Sequence, residues 1–397
     1  MLKLARHCCA AVPITFCCLV SSLAVAQEPP TIKVRHVRKL ESPLPGAGGN
    51  SHLLPGMPLD GPCFAMTSAR SYADCTAGFY NAKLELVASW RESIADGDKV
   101  MCVTAGDLDG DGQSEIVLST RQQAPGAYAL RWNVKERKLE TIWSFLDVRK
   151  GPFYRGIEVG DFTSHKGREV CIGGDGSELY LIDRDGKHIA TAKIPSPTIQ
   201  RIDVCDHDDD GYDEMIVSTG RSPGMVFYLK WHPQTYELQT IWRADVTPGG
   251  RGGNNCYEAL YHPNGHPDGG PAIAVNTEQE APREMSTGAI LMLDMNGREL
   301  WRYDYNEDEG RGGACDFADV TGDDRPEIIS RYARLLKKPV EVGILILDNR
   351  GCRLARVPNV TAGSAGPYVF RPNGPGTKPV YLLATSNVYE ILVDDGQ

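Results

Sequence analysis

Asp107-Leu-Asp-Gly-Asp-Gly-Gln-Ser-Glu115 runs directly into the apolar triplet Ile-Val-Leu. The same order of events, an acidic loop and then a short apolar strand, recurs along the chain in units of roughly 50 residues, and such a period indicates a repeat architecture. The other copies are Asp206-His-Asp-Asp-Asp-Gly-Tyr-Asp-Glu214, Asp319-Val-Thr-Gly-Asp-Asp-Arg-Pro-Glu327 and the degenerate Asp161-Phe-Thr-Ser-His-Lys-Gly-Arg-Glu169.

The acidic side chains of these loops have the spacing of a cation site. Carboxylates at alternate positions of a tight loop can direct several oxygen atoms to one ion, which is the coordination that calcium prefers. In the degenerate copy Thr163 and His165 replace two acids, so we expect no ion there. A solvated acidic turn without an ion is the alternative for every loop. The predicted calcium ligands are Asp107, Asp109, Asp111 and Glu115; Asp206, Asp208, Asp210 and Glu214; and Asp319, Asp323 and Glu327.

An EF-hand also begins with Asp-x-Asp-x-Asp-Gly, but its loop requires a bidentate Glu at position 12 and helices on both sides. Position 12 is Leu118 in the first loop and Val217 in the second, and β-branched residues surround both. The sequence therefore disfavours an EF-hand and favours loops that connect β-strands.

The segments around each loop predict a set of four short strands. After the first loop we expect strands over Glu115–Thr120, Gly126–Trp132 and Leu139–Phe145, separated by turns. Four antiparallel strands per unit are typical of a β-propeller blade. The predicted fold is all-β, a single propeller of seven blades, with six or eight as alternatives because residues 41–75 are rich in Gly and Pro. The predicted blades are near 50–93, 98–146, 154–195, 199–245, 254–306, 312–358 and 362–395.

The last predicted blade has only three strands of its own, and Ile32–Leu40 is a spare strand near the N-terminus. Pairing of this strand with the last blade would close the ring and remove exposed sheet edges. Aromatic residues recur on the outer strands and are predicted to pack between neighbouring sheets. These residues are Trp90, Trp143, Trp242 and Trp301.

The stretch Gly106-Asp-Leu-Asp-Gly-Asp-Gly-Gln-Ser-Glu-Ile-Val117 resembles the FG-GAP/VCBS repeat, the calcium-loop repeat of integrin-α-type propellers. Similar loops occur in the propellers of rhamnogalacturonan lyases and other secreted polysaccharide-active proteins. The resemblance covers most of residues 98–358 and implies a propeller that binds calcium. The Phe-Gly and Gly-Ala-Pro doublets of the repeat are mostly absent, and Tyr261–Gly270 has lost the acidic pattern.

Residues 1–26 are predicted to be a secretory signal peptide, with Lys3 and Arg6 before a short apolar core and small residues before the expected cleavage site. The core is too short to span a bilayer. Loss of these two cations changes the formal charge from −10 to −12, which argues against nucleic acid as a partner. We expect a secreted or periplasmic monomer with a closing strand and linker at 27–49 and the propeller at 50–397.

Twelve cysteines become eight after signal removal, and an even number in an exported chain permits disulfides. Cys63 and Cys75 flank a short polar turn and form the predicted local pair, while the remaining connectivity stays open. The absence of a Cys-x-x-Cys pair makes a structural zinc site improbable.

Arginines recur at equivalent points of several predicted blades, either just before an innermost strand or at the end of a second strand. Propeller symmetry predicts that they converge on the rim opposite the acidic loops, where guanidinium groups suit carboxylate or sulfate. The alternative is that each arginine pairs with an acid on the neighbouring blade, such as Glu278. The predicted ligand-binding residues are Arg155, Arg251, Arg311, Arg121 and Arg221.

Two functions are compatible with this sequence. The first is an exported calcium-binding propeller that binds an acidic polysaccharide and, if it is an enzyme, cleaves it by β-elimination. In that case arginines would neutralise a uronate carboxylate, and Tyr154, Tyr257 or Tyr261 would be the catalytic base. The second is a non-catalytic adhesion or scaffold propeller that binds a protein or glycan.

Overall fold

All regular structure in the described part of the chain is β, with 28 strands and no helix. Accordingly, these residues contain no helix that is long and apolar enough to cross a membrane. The computed structural model describes residues 31–40, 51–67, 76–91, 99–121, 126–146, 154–220, 224–246, 254–279, 288–305, 309–334, 340–360, 367–372, 377–384 and 387–394.

The strands form seven four-stranded sheets, which are the blades of a propeller. Blade 1 contains β2 (Ser51–Leu53), β3 (Phe64–Thr67), β4 (Thr76–Tyr80) and β5 (Leu86–Arg91). Blade 2 contains β6 (Lys99–Gly106), β7 (Glu115–Arg121), β8 (Gly126–Asn133) and β9 (Lys138–Leu146). Blade 3 contains β10 (Tyr154–Gly160), β11 (Glu169–Gly174), β12 (Glu178–Ile182) and β13 (His188–Lys193). Blade 4 contains β14 (Thr198–Cys205), β15 (Glu214–Gly220), β16 (Met225–Trp231) and β17 (Leu238–Asp245).

The remaining blades follow the same order along the chain. Blade 5 contains β18 (Asn254–His262), β19 (Ala272–Gln279), β20 (Gly288–Leu293) and β21 (Glu299–Asp304). Blade 6 contains β22 (Arg311–Ala318), β23 (Glu327–Arg334), β24 (Glu341–Leu347) and β25 (Arg353–Pro358). Blade 7 contains β26 (Tyr368–Phe370), β27 (Val380–Ala384), β28 (Asn387–Asp394) and, from the N-terminus, β1 (Thr31–Lys39).

Blade 7 closes the ring. Its strand order is β1-β28-β27-β26, and β1 pairs antiparallel with β28 from Thr31 opposite Asp394 to Lys39 opposite Asn387. Ile32 of β1 is buried in the layer between blades 6 and 7. The predictions of seven blades and of closure by an N-terminal strand are therefore confirmed.

The core is a series of apolar layers between neighbouring sheets. One layer joins Phe79 and Trp90 of blade 1 to Ile116 and Leu130 of blade 2. The second strand of a blade is covered on both faces, so Ile116, Val117 and Leu118 are all fully buried. This burial explains why these strands follow the acidic loops as continuous apolar runs, because each such side chain contributes about 1.5–3 kcal/mol when it leaves water.

At three interfaces between blades in the described chain, a tryptophan of an outer strand joins one blade to the next. The indole N–H of Trp143 in blade 2 donates to the carbonyl of Arg184 in blade 3 at 2.8 Å. Trp242 of blade 4 donates to Met295 of blade 5 at 2.8 Å. Trp301 of blade 5 makes the same bond to Asn349 of blade 6 at 2.9 Å. Each acceptor lies in the Asp-x-x-Gly turn between the third and fourth strands of its blade.

The glycine of the turn allows this approach. Gly297 has a φ of +77°, and a Cβ atom at this position would lie 2.9 Å from Cε3 of Trp242. Its conformation and the proximity of the indole both require the absence of a side chain.

Gly297→Ala should therefore destabilise the fold more than the same change at Gly269, which also has a positive φ (+93°) but no atom within 4 Å of a Cβ atom. Both variants carry the cost of a left-handed alanine, about 1 kcal/mol. Gly297→Ala should lose about 1–3 kcal/mol more because the methyl group displaces the indole. Urea unfolding measures the difference, and equal losses would show that the tryptophan contact contributes nothing.

Candidate functional site

Each acidic loop connects the first strand of a blade to its second strand. The loops follow β6, β10, β14 and β22, so the repeat places all four at the same end of the strands. We call this end the acidic-loop face.

The first loop brings carboxylates together around a cationic side chain of the same blade. Three backbone N–H groups of the loop donate to Asp107 at 2.8–3.1 Å and fix its carboxylate. Oxygen atoms of Asp107, Asp109 and Glu115 lie within 4.8 Å of one another. Arg131 of β8 donates to Asp109 at 2.5 Å and to Glu115 at 3.0 Å. Asp111 lies outside this convergent group.

The second loop has the same arrangement with a lysine. Oxygen atoms of Asp206, Asp208 and Asp210 lie within 4.8 Å of one another. The Nζ atom of Lys230, from β16, lies 2.8 Å from Asp208 and 2.9 Å from Asp210. It also lies 2.5 Å from the buried carboxylate of Glu214. Burial lowers the pKa of Lys230, but its hydrogen bonds to these acids outweigh burial and leave the pKa above its ordinary value.

Arg131 and Lys230 occupy the same position of their blades, because Leu130 pairs with Ile116 and Leu229 pairs with Met215. An ammonium or guanidinium group thus stands where loop carboxylates converge, which shows that the oxygen donors are arranged around a positive charge. The donor set fits a hard cation such as calcium. An ion at either loop would compete with the cationic side chain.

The third loop is arranged differently. The carboxyl group of Glu327 accepts hydrogen bonds from the N–H of Val320 at 2.7 Å and the hydroxyl of Thr321 at 2.9 Å. Burial raises the pKa of Glu327 to about 7. Asp319 and Asp323 do not join Glu327 in a convergent group within the described chain. A carboxyl group that holds a proton near neutral pH has less need of a counter-cation.

The degenerate loop resembles the third. Glu169 accepts the N–H of Phe162 at 2.9 Å and the hydroxyl of Thr163, and burial raises its pKa to about 7. At the strand position that carries Arg131 and Lys230 in blades 2 and 4, blades 3 and 6 carry Asp183 and Asp348. These two aspartates begin the turns that contact tryptophans.

The described arginines of the predicted rim lie at the face opposite the acidic loops and contact their neighbours. Arg311 of blade 6 forms an ion pair with Glu278 of blade 5, which is the blade-to-blade alternative. Arg155 of blade 3 donates to the side chain of Gln200 in blade 4 at 2.9 Å. Arg121 contacts the sulfur of Met101 at 3.9 Å. The other two predicted rim residues, Arg221 and Arg251, lie outside the described residues.

The structure does not bring Tyr261 together with these arginines. Tyr261 lies near the end of β18 at the acidic-loop face, where its N–H donates to Asp203 at 2.6 Å. Burial raises the pKa of its phenol, which makes the phenolate needed for a base harder to form. Tyr154 begins β10 at the opposite face, and Tyr257 lies within β18; their side chains are outside the described part of the structure.

A set of polar residues in the central channel was missed by the sequence analysis. The residue three positions before the first Asp of each acidic loop is Thr104, Glu158, Asp203 or Asp316. All four line a cavity of about 890 Å³ in the channel. Their constant distance from the loops is the sequence signal that could have identified them.

The channel acids are held by hydrogen bonds and share one buried cation, Arg201. Glu158 accepts the hydroxyl of Thr104 at 2.8 Å, and Asp316 accepts the N–H of Val369 at 2.9 Å. Burial raises the pKa values of Glu158 and Asp316 to about 7 in each case. Burial also raises the pKa of Asp203, with Arg201 opposing the shift.

The cysteines provide no disulfide in the described chain. Seven are free thiols, six of them buried and Cys352 exposed. Cys63 is among the free thiols, and its predicted partner Cys75 lies outside the described residues. Burial raises the pKa of Cys63 to about 11, so this thiol is a poor nucleophile near neutral pH.

No protein-family model and no curated protein sequence matches this chain. The fold, however, is similar to solved propellers. A chain from the crystal structure of BBS1N in complex with ARL6DN is 11% identical with a TM-score of 0.54, over 90% of this chain and 96% of that one. Sqt1 from Saccharomyces cerevisiae is 8% identical with a TM-score of 0.56, over 85% of this chain and 82% of that one. These likenesses show the propeller fold.

The raised pKa of Glu158 predicts that the fold is more stable in mild acid. Because the folded-state pKa is about 7, above the ordinary 4.5, the native state holds a proton that the unfolded state has lost between these values. The stabilisation is complete below pH 4.5 and is lost as the pH rises through 7.

Glu158→Gln should therefore change the free energy of unfolding little at pH 4 and raise it by about 3 kcal/mol at pH 8. Urea unfolding in chelator at both pH values measures this, with Glu136→Gln on the exposed surface as the control. A Glu158→Gln effect that is the same at both pH values would contradict the assignment.

Proposed function

We propose that this chain is an exported, non-catalytic binding propeller whose first and second acidic loops hold calcium and whose acidic-loop face binds a partner protein. One observation carries the proposal: the acidic loops and the mouth of the central cavity lie at the same face. Tyr261 lies at that face, whereas the described arginines and the start of β10 at Tyr154 lie at the other. The separation of Tyr261 from the arginines favours binding over lyase chemistry with this residue as the base.

The acidic-loop face has two depressions and exposed acidic groups, as a binding surface would. The channel cavity and a second depression of about 470 Å³ share Pro55 and Gly56 in their walls. Asp324 and Leu59 at the mouth of the cavity are exposed. Acidic groups beside an exposed apolar side chain suit a protein partner with basic residues.

One fold-level analogy also favours a protein partner. The solved structure of BBS1N contains a second protein, ARL6DN, so a similar fold occurs in a protein complex. Because propellers support many different functions, this analogy supports the proposal only together with the features of the acidic-loop face.

Calcium is part of the proposal because two of the loops place three carboxylates within 4.8 Å of one another. A divalent ion would neutralise more of this charge than the single cationic side chain that each loop contacts. Calcium would then hold the loops in place at the face that binds the partner.

Calcium should raise the melting temperature, because an ion that binds only the folded state stabilises it by RT ln(1 + [L]/Kd). This stabilisation is about 2.7 kcal/mol at a hundredfold excess over Kd. Lys230→Met should enlarge this response because it removes the ammonium that competes for Asp208 and Asp210. Asp208→Asn should reduce it. Lys138→Met is the matched control, since Lys138 contacts exposed acids outside the loops.

Thermal melts in calcium and in chelator test all four proteins. Identical melting curves of the wild type in both conditions would remove calcium from the proposal.

The binding face can be tested by site-specific photo-crosslinking in the exporting cell. Gln113 is exposed on the acidic-loop face, and Lys193 is exposed on the opposite face. A crosslinking amino acid would replace one or the other. We expect a discrete protein adduct from Gln113 that requires calcium and is absent from Lys193.

The acidic-polysaccharide function makes the opposite prediction. Formation of unsaturated uronate products from polygalacturonate, together with their loss in Arg311→Ala, would favour a lyase. Adducts from Lys193 alone would place binding on the arginine face.

A further inference from the structure

The central cavity is built by the first strands of the blades and has the size of a ligand site. Its volume of about 890 Å³ lies within the range of small-molecule pockets. His52, Glu158, Asp203 and Asp316 reach it from four different blades. The loop residues at its mouth show that it opens at the acidic-loop face.

The cavity wall contains more carboxyl groups than guanidinium groups. Its carboxyl groups belong to Glu158, Asp203, Asp316, Asp319 and Asp324, against the guanidinium groups of Arg201 and Arg371. A site with this excess of acids attracts a cation.

Both guanidinium groups already have partners. Arg201 lies 3.7 Å from Glu258, 3.1 Å from the sulfur of Cys102 and 3.3 Å from the hydroxyl of Tyr368. Arg371 donates to the backbone carbonyl of Thr377 at 2.8 Å and to that of Asp319. Arg201 also attracts Glu158, Asp203 and Asp316, so one guanidinium group is shared among several acids and offsets only part of their charge.

His52 is a second, independent sign of a ligand. Its side chain is 1% exposed and lines the cavity, and neither ring nitrogen has a hydrogen-bond partner among the described residues. Burial, followed by the charge of Arg201, lowers its pKa, so the ring is neutral and has one nitrogen free to accept a proton donor. A buried polar group without a partner is costly and requires an explanation.

The spacing of the acids excludes a compact metal site. Among the described residues, groups of three ligand atoms within 4.8 Å of one another occur only in the two acidic loops. The channel carboxyl groups are spread around the ring instead. A ligand that reaches several of them has to be an extended organic molecule.

We propose that the central cavity binds an extended organic cation, whose ammonium or guanidinium groups pair with Glu158 and Asp316 and donate a hydrogen bond to His52. Such a cation would favour the ionised form of acids that burial otherwise keeps partly protonated. It comes either from a free amine or from a basic side chain of a partner. The site does not require calcium, and the free amines test it without a partner, so its failure would leave the calcium sites and the binding face to be judged by their own experiments.

Isothermal titration of the full exported chain tests this site in chelator. The free probes are spermidine and agmatine, the partner-like probe is a glycine pentapeptide with one central arginine, and the neutral control is an alcohol of similar length. We expect at least one cationic probe to bind and the alcohol not to bind. Binding of the peptide alone would indicate a partner side chain, and binding of the amines alone would indicate a small molecule.

Glu158→Gln should weaken the probe that binds by about tenfold or more, because it removes a buried charge from the pair. Glu136→Gln removes one exposed charge and should have no effect. Equal affinities of wild type and Glu158→Gln would overturn the site, since binding would then be to the acidic surface. Absence of binding by every cationic probe would also overturn it and would indicate a cavity that holds water only.

His52→Phe separates ligand binding from folding. It keeps the ring beside Tyr368, whose centroid lies 6.1 Å away, but removes both unpartnered nitrogen atoms. We expect about tenfold weaker binding with an equal or higher melting temperature. A lower melting temperature with unchanged affinity would show that His52 is structural and would overturn its role.

Discussion

Closure of the ring is the constraint on which the rest of the structure depends. The N-terminal strand β1 pairs along the whole of β28, and this pairing completes the last blade beside the first. The channel exists only because these two blades meet. His52 of blade 1 and Tyr368 of blade 7 have ring centroids 6.1 Å apart, and Tyr368 also contacts Arg201 of blade 4. A strand that contributes nothing to the cavity thus determines its geometry.

Repetition made the fold predictable, whereas the site depends on departures from repetition. The acidic loops and the apolar second strands recur with strong local signals, so the blades could be predicted. The single spare strand at the N-terminus made their closure predictable as well. Arg131 and Lys230 belong to no motif, and only strand register brings them to the loops. The channel acids are single polar residues within strands, and the equivalent position in blade 5 is Leu260, which interrupts the pattern.

Stability and binding make opposite demands on the channel. The apolar layers between sheets stabilise the ring, while each buried carboxyl group of the channel costs free energy when it ionises. Glu158 and Asp316 are both held in place by hydrogen bonds that a neutral residue could also satisfy. Acids at these positions therefore cost stability near neutral pH that neutral residues would not, as functional residues commonly do.

The indole bonds between blades also make the protein its own spectroscopic reporter. Trp143, Trp242 and Trp301 each sit across a boundary between two sheets and donate to a carbonyl on the far side. Indole emission responds to water and to lost hydrogen bonds, so separation of blades would shift it to longer wavelength. Fraying of one outer strand would release only the tryptophan on that strand, so variants that keep a single one of these tryptophans would report on the blade boundaries one at a time.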